Sequence, residues 1–170
     1  MDEDSTDRDN GTGTDRATGS DRATGSKPKW QDLERLPVVG NLRDEWHWVK
    51  KGIEEIIRLD PYVTYIPEDV YHSIKSGEST LWVHQDIFTV TSITTDVFNG
   101  ERTLTIWLAW AKKRGTKNAA SHMPFYEEVA RRANCATVEV RSIQTPVVDF
   151  FTRDLGYEIA DITLSKRLGD

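Results

Sequence analysis

TLTIWLAWA (Thr103–Ala111), KKRGTK (Lys112–Lys117), PFYEEVARRA (Pro124–Ala133), ATVEVR (Ala136–Arg141) and PVVDFFTRDLGY (Pro146–Tyr157) follow one another with short breaks between them. The first alternates Leu104, Ile106, Leu108 and Trp110 with smaller or polar residues, which predicts a strand with those four side chains on one buried face. The second is a basic loop carrying one glycine. Pro124 and Pro146 each open a helical pattern, since proline fits a first turn whose N–H lacks a partner. Gly156 marks the end of the second helix as a C′ residue. Ala136–Arg141 is a short β-branched strand, and Tyr157–Leu164 is expected to carry the chain back into the sheet. The order is strand, loop, helix, strand, helix, strand.

Upstream of that stretch, Trp46, Val49, Ile53, Ile56 and Ile57 fall at helical spacing, stopped by Asp60-Pro61. Pro67–Ser76 predicts a second helix, with Glu68 and Asp69 in its first turn and Gly77 past its end. Thr80–His84, a tight turn at Gln85-Asp86, and Ile87–Phe98 form a hairpin. Asn99-Gly100 predicts a two-residue type I′ turn into the strand that starts at Thr103. No first strand is evident ahead of the helices.

The first 26 residues are of another kind. They are Asp, Gly, Thr, Ser and Arg with DRATGS twice, and hold seven acidic side chains against three arginines. Such a segment buries too little apolar surface to offset the ~1–2 kcal/mol per residue that ordering costs. The expected division is a low-complexity arm over 1–29, a packing linker over 30–45 that carries Trp30, Leu33 and Leu36, and a domain over 46–170. The net charge of −6 lies mostly in the arm, so the rest gives no electrostatic case for nucleic acid. The single Cys135 excludes an internal disulfide and a cysteine-based metal cluster, and reads as a small apolar side chain entering a strand. No apolar run approaches the ~20 residues of a membrane span. The expectation is a soluble protein made in a reducing compartment.

The element order, Glu139-Val140-Arg141 ending a strand, and the closing Phe-x-x-x-Leu-Gly-Tyr (Phe151–Tyr157) together resemble the GNAT N-acetyltransferase superfamily over roughly residues 46–168. The resemblance implies an α+β fold, a central mixed sheet flanked by helices. It also implies that the loop after the central strand holds the coenzyme A pyrophosphate, here Lys112, Lys113, Arg114, Gly115, Thr116 and Lys117. The loop keeps a basic first residue and the first glycine of the family pattern, while Lys117 stands where a second glycine is usual. A solvated basic loop is the other reading of the same residues. The family's helix tyrosine, which protonates the departing thiolate, maps to Phe151 or Thr152, neither of them an acid. The usual asparagine near that helix's start is matched only by Gln144 or Thr145. The central strand offers no carboxylate base; Asp96 and Glu101 lie at the hairpin end, and His84 and His122 have no carboxylate neighbour in sequence.

Six tryptophans are many for this length. Trp46 and Trp48 cannot share one helix face, and strict alternation puts Trp107 opposite Trp110. Core filling accounts for them first and an interface second. The size and the tryptophan-rich strands also resemble small GNAT-like morphogenesis proteins of short-tailed bacteriophages. That implies a non-catalytic structural or assembly protein of a virion, made in the host cytoplasm and using no cofactor. Its partners would be other chains or copies of itself, contacted through the arm and Trp30, Leu33 and Leu36. The alternative, of a different class, is a cytoplasmic acetyl-CoA-dependent N-acetyltransferase acting on an amine.

Overall fold

The computed structural model describes residues 36–113, 121–142 and 144–164. The arm over 1–29, Trp30 and Leu33 lie outside the described residues, and Leu36 is half-buried at the start of the described chain. The elements are β1 (Val38–Val39), α1 (Leu42–Leu59), α2 (Pro67–Ser76), β2 (Ser79–His84), β3 (Ile87–Thr95), β4 (Arg102–Ala111), α3 (Met123–Arg132), β5 (Thr137–Val140) and α4 (Thr145–Asp154). They build one five-stranded sheet in the order β1-β2-β3-β4-β5. The first four strands are antiparallel to their neighbours; β5 runs parallel to β4 and is reached through α3. The α+β mixed sheet flanked by helices is the expected fold class.

Each face of the sheet has its own core. On one, α1 and α2 bury Val49, Ile53 and Val70 against Leu81, Phe88, Val90 and Leu108. On the other, α3 brings Met123, Tyr126 and Ala130 onto Leu104 and Ile106, with Phe151 and Leu155 of α4 packed alongside. Helix α1 starts earlier than its tryptophans suggested. Asn41 accepts a hydrogen bond from the Arg43 amide at 3.1 Å, and Asp44 and Glu45 occupy the positive end of the helix dipole.

Five expectations need correcting. β1 exists, two residues inside the stretch taken for a linker; it is too short to give a periodicity, and only its pairing with Val83 and Trp82 defines it. The turn at Asn99-Gly100 is not type I′. The Asp96 amide donates to the Glu101 carbonyl at 2.8 Å across a four-residue loop, and only Gly100 of that loop has positive φ. Tyr157–Leu164 forms no strand, and Ile159, Ile162 and Leu164 are exposed. Strict alternation also fails in β4, because its pairing with β3 slips one residue where Val90 faces Leu108 but Thr91 faces Ile106. Trp107 is the extra residue of a β-bulge. The four residues read as one face are thereby split: Leu104 and Ile106 enter the α3 core, Leu108 and Trp110 the α1 core. Trp107 likewise packs on the α1 side with Trp110, not opposite it.

All five described tryptophans are half-buried and in contact with other aromatic rings. Trp46 meets Tyr71, Trp48 meets Phe88 and Trp110, Trp107 meets Tyr65, and Trp82 meets Phe125 and Tyr126 on the other face. Core filling accounts for them.

Candidate functional site

The bulge at Trp107 changes which way β4 turns its backbone. Before it, the strand is paired on both edges: the Ala136 amide donates to the Arg102 carbonyl at 2.8 Å, and the Arg141 amide to the Ile106 carbonyl at 3.1 Å. Those bonds hold β5 in a register that ends at Ile106 opposite Val140. Beyond the bulge β4 continues to Ala111 along β3, while β5 has ended. The Lys112 amide donates to the Asp86 carbonyl at 3.0 Å. By antiparallel alternation Trp110 and Leu108 also face β3, so Ala109 and Ala111 turn their N–H and C=O groups away from it. Among the described residues, the second half of β4 thus has one open backbone edge, beside the point where the two parallel strands part.

On the α1–α2 side of this point the side chains are polar and aromatic. Thr105 donates its hydroxyl to Glu139 Oε2 at 3.5 Å, from strand positions directly opposite each other. Next along β4, Trp107 packs edge-on against Tyr65 at 5.6 Å and 90°. Burial, with the Asp60 charge adding to it, pushes the Tyr65 hydroxyl up to about 12, so it is a neutral donor across the physiological range. On this face Glu55 of α1 accepts from Trp110 Nε1 at 2.6 Å through its Oε2, while Glu139 lies at the parting point itself. Attention to the central strand alone misses it, since it sits on the neighbouring one. The signal available in sequence was its position in Glu139-Val140-Arg141, with Val138 and Val140 turned into the α3 core.

The end of the sheet where β2 and β4 finish is basic. Lys112 and Lys113 are exposed there, and Lys112 Nζ lies 3.6 Å from Asp86 Oδ1 in a solvent-screened pair. Helix α3 begins at the same end, with His122 as its N-cap, and the His122 ring meets that of His84 at 4.6 Å. Sequence reasoning treated the two histidines separately; β2 and α3 bring them together. Arg114, Gly115, Thr116 and Lys117 lie outside the described residues. The remaining candidates do not converge here. Phe151 packs edge-on against Tyr157, and the Thr152 hydroxyl donates to the Val148 and Asp149 carbonyls within α4. Gln144 is the N-cap of α4 without a side-chain cap. Asp96 and Glu101 sit at the opposite end of β4. Among the described residues no group of three or more His, Cys, Asp or Glu could hold a metal ion, and no helix is long and apolar enough to cross a membrane.

No family model matches the sequence, and no curated protein matches it. Solved structures do. The chain is similar to a ribosomal-protein-alanine N-acetyltransferase of Brucella melitensis biovar Abortus, at 13% identity over 78% of this chain and 98% of that one, TM-score 0.58. It is similar to an acetyltransferase of Trypanosoma brucei, at 13% identity over 78% and 98%, TM-score 0.56. A transcriptional regulator of Bacillus halodurans aligns at 15% identity over 78% and 99%, TM-score 0.59.

The fold is that of the GNAT acetyltransferases.

At such identities the likeness establishes the GNAT fold and nothing finer. Within the GNAT frame, the parting of β4 from β5 and the basic end of the sheet lie on one continuous edge, from Trp107 through Ala111 to Lys112.

Proposed function

We propose that the chain transfers an acetyl group from acetyl-coenzyme A to an amine. One observation carries the reading: β4 keeps an open backbone edge over Ala109 and Ala111, leading directly into Lys112, Lys113 and the amino end of α3. A donor with an extended, amide-bearing arm and a polyanionic tail matches that edge in both chemistry and order. Backbone N–H and C=O groups pair with amides, and lysines beside a helix start attract phosphates. The donor supplies a thioester, an acetyl group already activated toward amines. Glu139, held by Thr105, accepts the proton that the amine loses as its nitrogen bonds to the acetyl carbon. Tyr65 and Trp107, packed edge-on against each other, wall the α1–α2 side. The carbon–sulfur bond breaks and the sulfur takes its proton from solvent, because Phe151 and Thr152 offer none.

Calorimetry with acetyl-CoA, followed by thiol release on a panel of amines, tests this. The expected result is saturable binding that weakens with salt and thiol release with at least one amine. Absence of binding at low salt contradicts it. A second reading is favoured by the missing acid on α4: a GNAT-like assembly protein that keeps the fold without turnover. Binding without thiol release on any amine brings that reading forward.

A further inference from the structure

The turn joining β3 to β4 shows two large apolar side chains to solvent, Val97 at 87% and Phe98 at 96% exposure. They are held in place rather than left loose. Asp96 Oδ1 accepts from the Phe98 amide at 2.7 Å and the Asn99 amide at 3.2 Å, and the Gly100 amide donates to the Asp96 carbonyl at 2.9 Å. A fixed turn loses little entropy on docking, so its apolar tip is a ready-made anchor. The tip is flanked by two acidic residues, Asp96 and Glu101, neither of which forms an ion pair among the described residues.

A surface of the opposite character lies elsewhere on the same molecule. A shallow groove of about 420 Å³ runs between β1, the start of α1 and α2. Leu42, Tyr71, Ile74 and Leu81 give it apolar walls, and Arg43 and Lys75 give it two exposed cations. Neither cation has an acidic partner among the described residues. The molecule therefore carries an apolar plug with acidic flanks and an apolar groove with basic flanks. Its own plug is not in its own groove, since Phe98 is almost fully exposed.

We propose that Val97 and Phe98 of one copy insert into this groove of a second copy, with Asp96 and Glu101 meeting Arg43 and Lys75. An exposed hydrophobe that fits a pocket elsewhere on an identical chain is a sufficient recipe for self-association. The charge signs select this occupant over an anionic membrane, which would repel the acidic flanks and leave the cations of the groove unused. The contact is independent of acetyl transfer and lies away from the open edge of β4.

Sedimentation velocity of the full chain over a hundredfold concentration range tests it. The expected result is a weight-average mass that rises above that of the monomer. Phe98→Asp, on a side chain with no core role, weakens association at least tenfold with an unchanged circular dichroism spectrum. Arg43→Glu with Lys75→Glu weakens it as well, and adding Glu101→Lys to that pair restores it in part. A wild-type chain that stays monomeric throughout overturns the proposal, as it would if residues 1–35 of the same chain filled the groove. Association unaffected by Phe98→Asp, or by the groove charge reversal, overturns it equally.

Discussion

The two halves of β4 differ in what they are held by. Arg102–Ile106 is paired on both edges, with Leu104 and Ile106 buried under α3. Trp107–Ala111 is paired, among the described residues, with β3 alone and packs its large side chains under α1. One extra residue at the bulge makes the difference, by turning both the side chains and the backbone groups through half a pleat. The first half is structural cement. The second keeps its backbone hydrogen-bonding capacity for a partner, and a sheet pays for such an open edge only where the edge is used or covered.

The largest expected effects test whether the two halves rest on separate cores. Phe88 is fully buried, stacks on Trp110 at 5.8 Å and meets Trp48 edge-on at 5.6 Å. Phe88→Ala is expected to cost about 3–5 kcal/mol in urea unfolding and to weaken acetyl-CoA binding, because Trp110 loses its support. Leu104→Ala is expected to cost about 2–5 kcal/mol while leaving donor affinity nearly unchanged. Equal losses of affinity in both variants would break the comparison.

Next comes the carboxylate at the parting point. Glu139→Gln keeps the shape and the contact with Thr105 but removes the base. Turnover on the best amine is expected to fall on the order of a hundredfold with donor affinity held within about twofold. Unchanged turnover would leave Glu139 with no part in the chemistry.

A third prediction concerns pH and sharpens the contrast from the closed half. Tyr126, buried beside Leu104 and Ile106, has its hydroxyl pushed up from 10.0 to about 12 by burial, against a smaller opposing pull from Thr89. The folded state therefore holds that proton more tightly than the unfolded chain. Stability from this group is complete below about pH 10 and is lost as pH rises through about 12, by on the order of 2 kcal/mol. Tyr126→Phe should flatten the alkaline arm of the stability profile and leave the neutral region little changed in shape.

The smallest effect belongs to the basic end. Lys112→Glu reverses an exposed charge paired only loosely with Asp86. It is expected to cost about 0.5–1 kcal/mol of donor affinity, with a shallower salt dependence, and almost nothing in stability.

Much of this was legible before any coordinates. Pro67, Pro124 and Pro146 marked helix starts to within a residue, and Gly77 and Gly156 lie just past helix ends with positive φ. The element order located the fold, because each segment had one clear period. What could not be read was any feature made by a single residue or by pairing alone. The bulge at Trp107 leaves the alternation of TLTIWLAWA intact on paper; only the β3 register exposes it. β1 is two valines whose identity as a strand comes from β2. Tyr157–Leu164 has strand-forming side chains, yet it pairs with no strand among the described residues. The site suffered in the same way, since Glu139 and the His84–His122 contact are juxtapositions across elements.

The claim that matters most is that the open half of β4 receives the acyl donor. Amide NMR of the labelled full chain, titrated with acetyl-CoA, tests it residue by residue. The account predicts that the Ala109 and Ala111 amides shift in fast or intermediate exchange and become protected from solvent, while those of Leu104 and Ile106, committed within the sheet before the bulge, hardly move. Shifts confined to exposed lysine-rich loops, or no shift at Ala109 and Ala111 at saturating donor, would contradict it.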